Sequence, residues 1–348
     1  MTETELDAIL SDPLAEARAA GGAIGYVGFD IPQDILLSPG LNAFHLPWRP
    51  EGGGAAAEKW TESSFPPLAK SILQQWADGV FDNIFEYVIF TRGNDVSQRL
   101  YYYVCELQRT GVVKGPQPLI FDAAKIRRAS SLAHTEDAVR RLCAGLGVSE
   151  EALAAGAKRA NECRNAVAAL NTNRQGAGAY YEKLARALLF AAPEPLFGPA
   201  PELAPPPKGR LLLAGSTPPD GRLHAAAARA GYEVAGEYYD GALLRYGAPV
   251  NLEEGSVERA IAQATQDALS PRLFADEAAS IAKAARAANA DAAIIWLIEE
   301  DEALVWRLPR QLDALKQAGI PALSLTRRRW DAGDGAAADI AAFLGSLS

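Results

Sequence analysis

Cysteine and histidine are both scarce: the chain holds three of each, with a single methionine. Cys105, Cys143 and Cys163 stand 38 and 20 residues apart, and no Cys-x-x-Cys pair exists to start a metal or redox site. Cys143 keeps step with Val139, Leu142 and Leu146, and Cys163 with Ala160, Val167 and Leu170. At that spacing a thiol rides the apolar face of a helix and packs as a small hydrophobe. His45, His134 and His224 are equally scattered, which disfavours a zinc site or a Ser-His-Asp triad. No apolar run approaches the roughly 18 residues that a membrane span needs. The opening MTETELDAILSD is acidic and lacks the basic region and apolar core of a signal peptide. A net charge of −9 leaves little sequence-independent attraction for nucleic acid. The expectation is a soluble, cytoplasmic protein that engages neither membrane nor nucleic acid.

What is present is an ordinary globular composition, 49% apolar and 22% charged, over 348 residues. That length predicts two domains. Residues 193–208, PEPLFGPAPELAPPPK, carry seven prolines in sixteen positions and read as a stiff, extended linker. Before the linker, GAIGYV (22–27), the return near 42–46, YVIFT (87–91) and PLIF (118–121) read as strands. Helical patterns follow Pro32 and cover about 67–77 and 95–109. From about 130 to 190 the period is helical throughout, broken near 176–178. After the linker, RLLLA (210–214), a strand from Tyr232, AAIIWLI (292–298) and 321–325 alternate with helices at 221–230, 257–269, 276–288, 303–318 and 336–347. Strands separated by helices of this length predict parallel sheets with right-handed crossovers. The fold class is therefore α/β: an N-terminal lobe over 1–192 with a helical segment at about 129–190, then a C-terminal lobe over 209–348. The halves share little identity, so duplication is a structural expectation only.

In open parallel sheets ligands bind beyond the carboxyl ends of the strands. Four segments fall there: 28–30, 92–95, 215–220 and 299–302. Asp30 reads first as the N-cap of the helix at Pro32, and otherwise as a cleft carboxylate. Asn94 or Asp95 caps the next helix, and Arg92 is positioned to meet an anion. Gly215, Ser216 and Thr217 open a loop whose amides suit a phosphate or carboxylate, although it has neither the Walker nor the G-x-G-x-x-G pattern. Glu299, Glu300, Asp301 and Glu302 complement a helix dipole, with a hard cation such as magnesium as the alternative. Arg327, Arg328, Arg329 and Trp330 read as a solvated turn, free to pair with those acids or bind an anion.

The blocks GYVGFDIPQDILLSPGLNAFHL, EYVIFTRGNDVSQRLYYYVCEL, GRLLLAGSTPPDGRLHAAAARAGYEVAGEYYDG and ADAAIIWLIEEDEALVWRLPRQLDALKQAGIPALSL resemble the 2-hydroxyacyl-CoA dehydratase and benzoyl-CoA reductase subunits. They occur in the family's order and cover most of the chain. The resemblance implies two Rossmann-like lobes and a working dimer of related subunits. It also implies a 4Fe–4S cluster, held by three cysteines beside a CoA thioester, with an ATP-using activator supplying one electron. Here the first cysteine position matches Gly28, the second Asn94, and the third Glu300 or Asp301. None supplies a thiolate, and Cys105 lies about three helical turns past Asn94.

The expectation is thus a subunit without a cluster, with no cofactor or metal of its own. Paired with a cysteine-bearing relative or with itself, it would shape the acyl-CoA pocket or the subunit interface. Two other readings compete: a stand-alone protein that binds a CoA ester or an anionic metabolite, and an enzyme of redirected, non-redox chemistry. In the last, Asp30, Asp95, Glu300 and Asp301 are the candidate acid/base groups or metal ligands.

Overall fold

The computed structural model describes residues 1–124, 126–172, 176–198, 206–253, 255–268 and 277–347. Helices α1 (Glu3–Ser11) and α2 (Ala15–Ala20) precede β1 (Ala23–Val27), α3 (Gln33–Leu36) and β2 (Ala43–His45). Next come α4 (Ala55–Trp60), α5 (Pro67–Ala77), β3 (Phe85–Thr91), α6 (Asp95–Arg109) and β4 (Gln117–Phe121). Three long helices follow, α7 (Ala129–Leu146), α8 (Glu150–Thr172) and α9 (Gly178–Phe190). The second half runs β5 (Gly209–Gly215), α10 (Arg222–Arg229), β6 (Tyr232–Tyr238), α11 (Val257–Asp267), α12 (Glu277–Ala287) and β7 (Ala292–Ile298). It ends with α13 (Glu302–Val305), α14 (Leu308–Gln317), β8 (Ala322–Arg328) and α15 (Ala336–Gly345).

All ladders are parallel, in two four-stranded sheets ordered β2-β1-β3-β4 and β6-β5-β7-β8. The two orders are the same permutation. Each sheet starts on a central strand, steps to one side and then crosses back, which makes two Rossmann-like lobes. Each lobe consequently has its own switch point, between β1 and β3 and between β5 and β7.

The strand sequences explain the layering. Along β7, Ala292, Ile294, Trp296 and Ile298 join one buried cluster with α10 and α15, while Ala293, Ile295 and Leu297 join the opposite one with α12 and α14. Alternation with both faces apolar marks a sheet covered by helices on both sides. β1 divides in the same way, Ala23 and Val27 to one face and Ile24 and Tyr26 to the other. A fully buried Ile or Leu contributes roughly 1.5–3 kcal/mol, so these doubly covered strands carry much of each lobe's stability.

Several expectations need correction. Besides the expected break near 176–178, the long helical stretch breaks at Gly147, whose left-handed conformation (φ 68°) ends α7 before Ser149 caps α8. The single helix expected over 303–318 is two, since Pro309 in the first turn of α14 has no N–H to continue α13. Helix α11 follows β6 in sequence yet packs on α7 and α8, with Ile261 in the first lobe's core beside Val139 and Leu142. At the start of the proline-rich stretch, Glu194–Phe197 form a 3-10 turn rather than extended chain, and 199–205 lie outside the described residues. Among the described residues no helix is long and apolar enough to cross a membrane.

Candidate functional site

The carboxyl ends of the central strands of both sheets meet in one cleft. It is lined by residues from both lobes, among them Gly28, Phe29, His45, Asn94, Asp301 and Trp330. The lobes are tied at this point by Trp48, whose indole N–H donates to the Pro219 carbonyl at 2.9 Å.

The first-lobe wall is built on hydrogen bonds that hold the strand ends in place. The Ser97 hydroxyl donates to the Val27 carbonyl (2.9 Å) and accepts the Thr91 amide (3.1 Å), which clamps β1 to β3. Asn94 is the N-cap of α6 and accepts the Ser97 amide at 2.8 Å. At Gly28 the backbone turns with φ 107°, and a Cβ there would fall 2.2 Å from the Thr91 methyl. Gly215, the last residue of β5, has φ 112°. Both turns need glycine.

His45 stands alone in the sequence, with no motif to mark it. Its Nδ1 lies 2.7 Å from the Leu46 carbonyl, so Nδ1 carries the proton and Nε2 accepts the Gly28 amide at 3.3 Å. The ring is buried, and desolvation, then the nearby Arg245 charge, drives its pKa down to about 3. Phe29 stacks on it with centroids 5.1 Å apart, and Trp48 meets both rings edge-on. A neutral imidazole thereby sets the shape of the Gly28 turn and of the aromatic wall beside it.

The second-lobe wall is built the same way. The Ser216 hydroxyl donates to Asp301 Oδ2 at 2.6 Å and accepts the Ile298 amide at 3.1 Å, while its own amide donates to the Trp296 carbonyl. Trp330 donates to the Thr217 carbonyl, and the Thr217 hydroxyl accepts the Gly241 amide. Ser216→Ala, which removes a buried partner from both Asp301 and the Ile298 amide, is expected to lower stability by about 1–3 kcal/mol. Urea denaturation of the two proteins measures that difference.

The site residues expected from sequence divide sharply. Gly28, Asn94, Thr217 and Asp301 line the cleft together. Asp30 lines an adjoining cavity with its carboxylate against Gly93, and it is not a helix cap, because α3 begins after Pro32. Arg92 is committed to Asp122 at 2.8 Å, and Asp95 pairs with Arg99 on the exposed face of α6. The Gly215 loop does not form an anion cradle: the Ser216 amide is taken, and α10 begins only at Arg222. The acidic run does not gather, since Glu299 pairs with Arg327 and Asp301 is held by Ser216. Glu300 is half-buried, and burial, with the charges of Glu299 and Asp301 added, raises its carboxyl above the usual range. No group of three or more His, Cys, Asp or Glu side chains able to hold a metal occurs among the described residues. Cys143 and Cys163 are buried on helix faces, and burial pushes both thiols up to about 11.

No family model matches the chain, and no curated protein matches it. Its chemistry must be argued from the cleft. Apart from the expected positions, the residues that build it (His45, Ser97 and Asp240) carry no sequence motif, and Trp330, which reads in the sequence as part of a solvated turn, is buried in its wall.

Proposed function

We propose that the chain is a cluster-free subunit of an acyl-CoA-handling assembly resembling the 2-hydroxyacyl-CoA dehydratases and benzoyl-CoA reductases. In that assembly it forms one wall of the thioester pocket or of the interface with an iron–sulfur partner. One observation carries this reading. Gly28, Asn94 and Asp301, from three separate strand ends, are positions where the resemblance expects cluster cysteines, and all three line one cleft. Strand boundaries alone select the segments 28–30, 92–95, 215–220 and 299–302; that they meet is a property of the fold.

The donor chemistry of the three positions does not fit a 4Fe–4S cluster. Gly28 offers no side chain, the Asn94 carboxamide caps a helix, and the Asp301 carboxylate is engaged by Ser216. A cluster of that type is ordinarily held by thiolates. The backbone adds a further obstacle. At φ 107°, with the Thr91 methyl 2.2 Å from where a Cβ would lie, Gly28→Cys is expected to destabilise the fold by about 2–4 kcal/mol. Thermal unfolding of Gly28→Cys and Gly28→Ala measures this, and equal losses would assign the effect to the Cβ rather than the sulfur.

A second reading, an enzyme of redirected acid/base chemistry, draws on the raised Glu300 carboxyl. It predicts activity from the isolated chain that Glu300→Gln abolishes. The deciding experiment is anaerobic purification from the native source, with iron and sulfide analysis and native mass spectrometry. Iron only in a complex with a cysteine-bearing relative is the expected result. Stoichiometric iron on this chain alone would overturn the proposal. Absence of both iron and partner would shift the weight to the second reading.

A further inference from the structure

A separate cavity shares no lining residue with the cleft. Its walls come from β1, α3, the loop into β2, the end of α9 and the turn at Glu194. Leu36, Leu37, Leu41, Phe44 and Leu188 supply its apolar surface. Among its described lining residues the only charged side chains are Arg159 and Glu194, and they pair with each other at 3.0 Å. Arg159 is further held by Glu162 at 2.9 Å. The lining therefore offers a ligand no uncompensated charge.

Two neutral polar side chains stand in that lining. Tyr26 on β1 is 4% exposed, and Gln33 in the first turn of α3 is 7% exposed. Neither the Tyr26 hydroxyl nor the Gln33 carboxamide has a hydrogen-bond partner among the described residues, yet neither is sealed off: their polar atoms keep accessible surface. Tyr26 lines this cavity and neither the cleft nor the cavity beside it, so the reachable part of its side chain, hydroxyl included, belongs here. Gln33 lines this cavity and the one beside the cleft, which puts it at their common wall. The Tyr26 ring sits edge-on against His45 with centroids 5.1 Å apart, so the position of its oxygen is set before any ligand arrives. Burial, opposed by the Arg245 charge, raises this hydroxyl above its ordinary 10 and keeps it a protonated donor. Tyr246 also lines the cavity, but its hydroxyl is engaged by Arg245.

We propose that this cavity binds a neutral organic carboxamide with a small apolar body, held by Tyr26 and Gln33. Small-molecule sites are mostly apolar with a few placed polar groups, and buried polar groups without a protein partner call for one. Tyr26 supplies the donor for the carbonyl oxygen of the ligand, and the Gln33 carboxamide supplies an acceptor for its N–H. The leucines cover the apolar body. A carboxylate would find no unpaired cation, because Arg159 is taken by Glu162 and Glu194, and an ammonium would find no unpaired anion. A hydrocarbon would leave both polar groups unsatisfied. Binding of this kind does not depend on the acyl-CoA reading: free amides bind whether or not the chain handles thioesters.

Ligand-observed NMR and calorimetry of the full chain with butyramide, benzamide, butyrate, benzoate and butylamine test this. Wild type is expected to bind at least one of the amides, and more tightly than either acid or the amine. Tyr26→Phe, which keeps the ring against His45, and Gln33→Leu should each weaken that binding by about three- to tenfold, the worth of one hydrogen bond. The ligand-free melting temperature of each variant should equal or exceed that of wild type, because no hydrogen bond within the protein is lost. A clear fall in the ligand-free melting temperature of Tyr26→Phe would assign its hydroxyl to the fold and overturn the proposal. So would failure of wild type to bind either amide at millimolar concentration, tighter binding of an acid or the amine, or undiminished amide binding by either variant. Loss in Gln33→Leu with none in Tyr26→Phe would place the amide in the cavity beside the cleft instead.

Discussion

Arg164→Ala is expected to cost the fold about 3–5 kcal/mol, because it strands a buried carboxylate. The Arg164 and Asp34 side chains are only 5% and 2% exposed, so solvent cannot take over the hydrogen bonds that the substitution removes. Arg164 also joins three elements that are distant in sequence. It projects from α8, grips Asp34 on α3 with both ends of its fork, and donates to the carbonyl of Tyr246 in the turn after β6. Asp34→Ala leaves the converse, a buried guanidinium, and should cost a similar amount. The double variant Arg164→Ala/Asp34→Ala removes both charges together, and is expected to lose less than the sum of the two single losses. Urea denaturation of all four proteins gives the coupling directly. A double variant as unstable as the sum of the singles would mean the two residues act independently and would refute the ion-pair account. The consequence reaches the cavity as well. α3 follows the Gly28 turn, and the turn bearing Tyr246 also bears Arg245, so the pair sets the spacing between two walls of the cavity beside the cleft.

Much of the frame is legible because strands with two covered faces write themselves as apolar runs. AAIIWLI is β7 residue for residue, and 67–77 and 95–109 are α5 and α6. Less legible are elements whose signal is local and short. α1 rests on a capping box, Thr2 with Glu5, a two-residue signal inside an opening that otherwise reads only as acidic. The placement of α11 has no local signal at all. Its amphipathic face says only that it packs, and the partner is chosen by tertiary contact with α7 rather than with the neighbouring β6.

The site shows the same division. Gly28, Asn94 and Asp301 can be found because the carboxyl-end rule locates a pocket from strand boundaries alone. Arg92 follows that rule and still fails, since β4 lies beside β3 and brings Asp122 within 2.8 Å of it. His45 and Arg245 are out of its reach. Each is an isolated residue whose surroundings come from the fold: His45 a desolvated ring with one donor and one acceptor, Arg245 a guanidinium set on the Gly241 and Ala242 carbonyls and beside the Tyr246 ring.

His45 carries the largest expected response to pH. In the fold its pKa is about 3, against an ordinary value of 6.5, because burial excludes the charged form. Above pH 7 both folded and unfolded chains hold it neutral, and it contributes nothing to pH dependence. As pH falls below 6.5 the unfolded chain takes up a proton that the folded chain refuses, so stability declines continuously toward pH 3. At about 1.4 kcal/mol per pH unit the loss is about 2 kcal/mol at pH 5 and about 4 kcal/mol at pH 3. Glu300 runs the other way near its own titration, since its raised carboxyl takes a proton in the fold first. Subtraction isolates the histidine. His45→Gln keeps a donor for the Leu46 carbonyl and an acceptor for the Gly28 amide but cannot titrate. The stability difference between wild type and His45→Gln should be constant above pH 7 and shift in the variant's favour by about 2 kcal/mol at pH 5. A difference that stays flat from pH 7.5 to pH 5 would sink the assignment. Protonated His45 would also turn Nε2 from acceptor to donor against the Gly28 amide, forcing apart the turn on which Phe29 stacks.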